Sequence, residues 1–273
     1  MKQLIPFING SYKTGPLQVS ALARLMPPVA FYAGLIRIVF GCSSQAKHGH
    51  YGNEDWASSS HEVMLELEKV GIIFEITGMN NVAGIEGPCV FIGNHMSALE
   101  TFVLPCIIEP VKDTTFVVKQ SLIDYPVFRY VMRSRNPITV GRTNPREDLR
   151  AVFEGGTEIL ASGRSIVIFP QTTRAAAFDP KEFNTIGIKL ARKANVPVVP
   201  IALKTDAWGN GKMFRDFGEI DPSKKVFFSF GEPMTIKNRG VEEKDVIIAF
   251  IEKHLNEWSQ LPATDGGPFS RGM

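Results

Sequence analysis

The chain has few of the residues that would anchor a redox or metal function. Three cysteines, Cys42, Cys89 and Cys106, stand among 273 residues. They are odd in number and form no CxxC pair, which argues against a disulfide framework and a thiolate zinc site and points to a reducing compartment. The five histidines form no HExxH, since His61-Glu62 leads into Val63-Met64-Leu65, and His48 and His50 lack further ligands at metal spacing. No GxSxG elbow occurs, so the commonest serine-hydrolase nucleophile is missing. A net charge of +2 is far from that of a nucleic-acid-binding domain, and no stacking platform interleaves the basic residues. The opening MKQLIPFING lacks a long apolar core and a small-residue cleavage site, so no secretory signal is expected.

Long uninterrupted apolar runs are missing too. The most apolar stretch, ALARLMPPVAFYAGLIRIVFGC (21–42), is punctuated by Arg24 and Arg37 and broken by Pro27 and Pro28. A membrane-crossing helix needs about 20 continuous apolar residues. We therefore read two short helices lying in a membrane interface, arginines at headgroup level and Phe31 and Tyr32 dipping inward. A buried core helix starting at the proline pair fits the same pattern. The stretch GCSSQAKHGHYGNEDWASSS (41–60) has linker composition. The expected organisation is an N-terminal membrane-interface helical segment and linker over 1–58, an α/β domain over 59–262 and a flexible tail over 263–273.

What is present is an ordinary folding composition, 44% hydrophobic and 21% charged, able to bury a sizeable core. From residue 60 the text alternates. GIIFEITG, PCVFIG, TTFVVK, PITVG, SIVIFP, VPVVPIAL and KKVFFSFG read as strands. HEVMLELEKV, SALETFVLPCII, DYPVFRYVMRS, PREDLRAVFEGGTEILAS, FNTIGIKLARKA and EEKDVIIAFIEKHLNEW read as helices. The alternation predicts an α/β fold, a largely parallel mixed sheet flanked by helices. Ligands in such folds gather beyond the carboxyl ends of the strands. Four of those ends are polar or basic: Asn94-His95, Lys119, Arg142, and Gln171-Thr172-Thr173-Arg174. Between Lys119 and Arg150, seven basic residues stand against three acidic ones, enough to draw an anionic substrate or membrane surface. Arg129, Arg133, Arg146 and Arg150 read as solvated helix faces, whereas Lys119 and Arg142 follow strands.

The first strand end reads NHMSALE. Ser97-Ala98-Leu99-Glu100 is a capping-box sequence, with Ser97 at the N-cap and Glu100 at the third helical position. His95 then lies outside the helix, on a turn that can fold back over its first turn. A carboxylate there can hold one imidazole nitrogen and leave the other as a base. A polar strand-to-helix turn would be written with the same residues. With Ser97 serving as a cap, no nucleophile completes a triad. If His95 is a base, the proton it takes belongs to a substrate hydroxyl. The loop FPQTTR, with its backbone N–H groups, hydroxyls and Arg174, suits a phosphate or oxyanion, and equally a solvated polar loop.

In order and spacing, these strand ends resemble the glycerophospholipid acyltransferase family, whose best-known members are 1-acyl-sn-glycerol-3-phosphate acyltransferases. The first family block, Asn-His-x-Ser with an Asp after two intervening residues, is met by Asn94, His95 and Ser97, with Glu100 for the Asp. The second, roughly Gly-x-Ile-x-Val-Asp-Arg, is met by Ile138, Val140 and Arg142, with Asn136 and Gly141 departing. The third, Phe-Pro-Glu-Gly-Thr-Arg, is met by Phe169, Pro170, Thr173 and Arg174, with Gln171 and Thr172 replacing Glu and Gly. The Val-Pro-rich fourth is met by Pro197 and Pro200, and Lys119 resembles the lysine after the second strand.

The resemblance spans roughly residues 70–205. It implies that His95 deprotonates a lipid hydroxyl, which attacks an acyl-CoA or acyl-carrier-protein thioester without an acyl-enzyme. Glu100 would orient His95, and Lys119, Arg142 and the loop Gln171, Thr172, Thr173 and Arg174 would bind the phosphate of a lysophospholipid, most directly 1-acyl-glycerol-3-phosphate giving phosphatidate. It further implies a membrane lipid surface as partner, a peripheral or monotopic place on its cytoplasmic face, and no metal or bound cofactor beyond the thioester co-substrate. Gln171 removes a carboxylate beside Arg174, which would leave that arginine freer to hold an anion. The departures at Glu100, Gln171 and Thr172 also admit another lipid-alcohol acceptor, or a catalytically degenerate lipid-binding relative.

Overall fold

The computed structural model describes residues 3–171, 173–212 and 215–261; Thr172 and the tail at 263–273 lie outside the described residues. The apolar runs read as strands assemble, with one short N-terminal strand, into an eight-stranded sheet of order β1-β2-β8-β7-β3-β6-β4-β5. These are β1 (Tyr12–Lys13), β2 (Phe74–Thr77), β3 (Val90–Gly93), β4 (Thr114–Lys119), β5 (Ile138–Val140), β6 (Ser165–Ile168), β7 (Val198–Lys204) and β8 (Val226–Phe230). Strands β7, β3, β6, β4 and β5 run parallel. Strand β8 turns back antiparallel to β7, β2 runs with β8, and β1 opposes β2. The largely parallel mixed sheet predicted from the alternation is the one observed.

Every residue of β3, β6 and β8 is buried, because helices cover both faces, so these strands are written as continuous apolar runs rather than alternating ones. One face packs on α2 (Pro27–Lys47), α3 (Asn53–Lys69) and α5 (Leu99–Ile108) through Phe31, Leu35, Met64, Leu67, Val103 and Leu104. The other packs on α7 (Pro145–Ala161), α8 (Ile186–Ala194) and α9 (Val241–Ser259) through Val152, Leu190 and Ile247, and two short helices, α4 (Met79–Ala83) and α6 (Phe128–Ser134), lie in the connections after β2 and β4. Helix α7 begins where its sequence says it should: Pro145 takes the first helical position and Asn144 accepts the Arg146 N–H. Helix α5 contains Pro105, which cannot donate to the turn before it. Ser60 of α3 enters that gap, accepting from Cys106 N at 2.9 Å and donating to Phe102 O at 2.6 Å. The proline thus becomes a joint between α3 and α5.

The front of the chain differs from the expectation. The stretch 41–60 is no linker: α2 continues through Lys47 and α3 starts at Asn53. Most of its polar letters lie outward, while Cys42, Ser43, Tyr51, Ala57 and Ser60 are buried, and Asp55 caps α3 by accepting the Gly52 N–H at 2.8 Å. The boundary drawn at 58 falls inside α3. Ile5, Ala23, Phe31, Leu35 and Ile38 share one core cluster with Phe74 and Phe91 of the sheet.

Two helices do precede residue 48, α1 (Ala21–Leu25) and α2, but Phe31 and Tyr32 face the protein. Phe31 is fully buried against Trp208, and Tyr32 donates to Gly218 O at 2.7 Å. The outward face instead carries Leu22, Leu25, Met26, Val29, Ile36 and Phe40, all exposed. By length and composition α2 could cross a membrane. Its inner face, however, is committed to the core.

Candidate active site

The site grows from the carboxyl end of β3. Gly93 permits a close approach there, since a Cβ would lie 2.8 Å from Ile201 O. Asn94 then continues the ladder with its side chain, donating to Leu203 O at 2.7 Å and accepting from Leu203 N at 2.8 Å. With β7 held this way, the next residue leaves the sheet. The His95 N–H donates to Gln171 Oε1 at 2.9 Å, and its carbonyl accepts from Ala175 N at 2.9 Å. The backbone of His95 is therefore bolted to the loop that follows β6.

The ring is held at two points. Its Nδ1 lies 2.8 Å from Glu100 Oε1, and its plane stacks on Phe169 at 4.4 Å with 5° between the rings. The imidazole side chain keeps 12% exposure, whereas Glu100 has none. Glu100 also accepts from Met96 N, Ser97 N, Ser97 Oγ and Thr205 Oγ1. Burial pushes its carboxyl upward, but the His95 bond and charge, Thr205 and Ser97 outweigh that and hold it below the ordinary carboxylate range. An ionised carboxylate only accepts, so in the neutral ring Nδ1 carries the proton and Nε2 the lone pair.

The capping box forms with a shift. Glu100 takes the Ser97 N–H at 3.0 Å, and Ser97 Oγ accepts from Leu99 N at 3.1 Å, while the helix begins at Leu99. Ser97 Oγ is buried and engaged with Glu100 and Thr205, which suits a cap and not a nucleophile.

Strand order sets where the other candidates lie. From β3 the sheet runs to β6, β4 and β5, each step about 4.8 Å. Lys119, ending β4, and Arg142, just past β5, are therefore two and three strands from His95 along one edge, roughly 10 and 14 Å. Both are exposed. Arg142 has φ +58°, a left-handed conformation uncommon for a non-glycine residue. Asp148 holds it there, accepting the Gly141 N–H at 2.8 Å and the Arg142 N–H at 3.0 Å. Arg133 and Arg150 pair with Asp124 and Glu154 on exposed helix faces. Arg135 is buried instead, its guanidinium on Asn53 Oδ1 and the Tyr51 carbonyl.

The loop after β6 departs from the expectation. Gln171 is buried, with Oε1 on the His95 N–H and Nε2 without a hydrogen-bond partner among the described residues. Arg174 is not left freer by the missing carboxylate: its Nη1 lies 2.6 Å from Asp216 Oδ1. Asp216 comes from a distant loop, so no local pattern announces it. Thr173 is exposed, and Thr172 lies outside the described residues. Thr205 was absent from the candidates, yet it is fully buried with Oγ1 2.6 Å from Glu100 Oε2. The signal that finds it is the one that finds His95, a polar residue directly after a strand.

The constellation, a histidine on a buried acid on the same sheet edge as basic strand ends, lies almost wholly within residues 73–204, which match the acyltransferase family model. The match covers 132 residues, just under half of the chain. A 1-acyl-sn-glycerol-3-phosphate acyltransferase of Pseudomonas aeruginosa is 35% identical over 132 residues, 48% of this chain and 49% of that one. A chloroplastic 1-acyl-sn-glycerol-3-phosphate acyltransferase of Brassica napus is 29% identical over 167 residues, 61% of this chain and 44% of the other. The chain spans about half the length of the curated relatives it matches. The chain also shares a fold with the crystal structure of the 1-acyl-sn-glycerophosphate (LPA) acyltransferase PlsC from Thermotoga maritima. The TM-score is 0.62 at 19% identity, covering 88% of this chain and 98% of that one.

Proposed function

We propose that the protein transfers a fatty acyl group from an acyl thioester, on coenzyme A or an acyl-carrier protein, to the free hydroxyl of a lysophospholipid. The acceptor we assign is 1-acyl-glycerol-3-phosphate, giving phosphatidate, in line with the names of the relatives above. One observation carries this reading. His95 has Nδ1 on a fully buried carboxylate 2.8 Å away, with Nε2 unengaged among the described residues, on the edge where Lys119 and Arg142 stand.

In this mechanism the acceptor hydroxyl gives its proton to Nε2 as its oxygen attacks the thioester carbonyl carbon. The tetrahedral intermediate collapses, the C–S bond breaks, and the imidazolium returns the proton to the leaving thiolate. Glu100 stays ionised throughout and steadies the transient imidazolium. No acyl-enzyme is needed. Base catalysis of this kind contributes roughly 10²- to 10⁴-fold, and holding alcohol and thioester together supplies much of the rest. Lys119 and Arg142 serve the acceptor phosphate. The exposed stripe Leu22, Leu25, Met26, Val29, Ile36 and Phe40 lies on the cytoplasmic face of a membrane, where the lipid acceptor is found, and the enzyme is peripheral.

A second reading keeps the chemistry and changes the acceptor to another lipid alcohol. The Arg174–Asp216 pair favours it, because one expected phosphate cation is already neutralised. Titrating acyl-CoA against a panel of lyso-lipids while following thiol release separates the two. The expected result is release with 1-acyl-glycerol-3-phosphate that is abolished in His95→Ala while the protein still folds. Release with a different acceptor supports the second reading, and undiminished turnover in His95→Ala ends the mechanism.

A further inference from the structure

We propose that Thr205 is a positioning residue, anchoring the Glu100 carboxylate from the neighbouring strand so that the longer acid holds His95 in place. The kinetic part of this proposal rests on the acyl-transfer reading above; the geometric part does not.

Among the described residues, every other donor to Glu100 comes from residues 95–97: His95 Nδ1, Met96 N, Ser97 N and Ser97 Oγ. These groups share one short turn with the acid and move with it. They set its orientation within the turn but not the position of the turn against the sheet. Thr205 is different. It stands 105 residues away in sequence, directly after β7, and makes the shortest contact on the acid, 2.6 Å. Ser97 Oγ closes the ring, 3.1 Å from Thr205 Oγ1 and 3.0 Å from the Thr205 carbonyl. Strand β7 thus grips the turn on both sides of the base, through Leu203 on Asn94 and Thr205 on Glu100.

Proton bookkeeping fixes the direction of these bonds. A hydroxyl has one proton, and a carboxylate can only accept, so the Thr205 proton goes to Oε2, while the single Ser97 proton is shared among Oε2, the Thr205 carbonyl and Thr205 Oγ1. Glutamate brings one more rotatable bond than the aspartate of the family block, hence more freedom to be frozen out. A donor on its far oxygen, fixed to the sheet, removes that freedom.

A series Thr205→Ser, Thr205→Cys and Thr205→Val tests the assignment, each with acyl-CoA, 1-acyl-glycerol-3-phosphate and thiol release. Serine keeps the donor, and its kcat is expected within about threefold of the parent. Cysteine and valine remove a strong hydrogen bond to a charged group, and kcat should fall roughly 10- to 100-fold with both KM values unchanged. Should valine fail to fold, serine and cysteine, which differ by one atom, decide the matter. Equal kcat in all variants, or equal losses in serine and cysteine, overturns the proposal.

A proton NMR resonance of His95 Nδ1–H supplies a readout without turnover. It is expected in the parent and the serine variant, and broadened by exchange in the cysteine variant. If the parent releases no thiol with any lyso-lipid, the acyl-transfer reading fails and this resonance alone judges Thr205. An undisturbed resonance in the cysteine variant then overturns the anchor.

Discussion

Replacing Glu100 by glutamine isolates the charge on the buried acid from its shape. The side chain keeps its length, and an amide oxygen turned toward His95 still accepts the Nδ1 proton, so the tautomer survives. The amide nitrogen then faces Thr205 Oγ1 and Ser97 Oγ, which can rotate to accept. What disappears is the negative charge 2.8 Å from a ring nitrogen that becomes cationic during proton transfer. With charge centres about 4 Å apart and an effective dielectric near 20, that attraction is worth about 4 kcal/mol, or roughly 10³-fold in rate at full transfer. A partly transferred proton in the transition state brings the expected loss to roughly 10²- to 10³-fold in kcat, with KM little changed.

The assay is thiol release under saturating acyl-CoA and lyso-lipid, with melting curves as the control for folding. The depressed carboxyl gives a second signature. Its stability contribution is present above the unfolded value of about 4.3 and is lost as pH falls through the lower folded value. Glutamine should remove that acid-side slope. A folded Glu100→Gln protein with kcat within about threefold of the parent would refute the imidazolium-stabilising role of the acid.

The far end of the sheet offers a test separate from catalysis. Burial pushes the Glu109 carboxyl up to about 8, against the Thr114 N–H and the charges of Arg135 and Arg164. Between the ordinary value and about 8 the folded chain keeps a proton that the unfolded chain releases, so stability falls as pH rises, and the loss is complete above that value. Glu109→Gln should flatten the melting temperature between pH 5 and 8, with a gain on the order of 2 kcal/mol at the upper end; an unaltered slope contradicts this. On the outer stripe, Ile36→Glu and Phe40→Glu alter exposed positions. They should reduce co-sedimentation with vesicles of phosphatidylglycerol and phosphatidylethanolamine while changing stability by no more than about 0.5 kcal/mol. Unchanged sedimentation would remove this face from membrane contact.

Much of the site was legible because it is local. NHMSALE places a histidine and an acid five residues apart on one turn, and hydrogen bonding between them needs no distant element. The strand ends were legible because parallel βαβ units send their carboxyl ends to one side. Lys119 and Arg142 follow from that rule without reference to strand order. The linker reading of 41–60 failed because the start of α3 is written in Ser, Asn, Asp and Glu, which a surface helix shares with a loop. Only the burial of Tyr51 and Ala57 distinguishes them. Phe31 and Tyr32 were misplaced for a related reason: on an apolar helix with two apolar faces, the pattern does not tell protein from lipid.

The amino-acid order by itself determined the alternation of strands and helices, the turn carrying His95 and the capping acid beneath it, since each depends on neighbours within one or two turns of chain. Tertiary structure alone decided that β7 lies beside β3, bringing Thr205 onto Glu100, and that Asp216 meets Arg174. Those contacts join residues 105 and 42 positions apart, and such pairings are set by how strands order themselves to bury their faces, which short-range spacing does not encode.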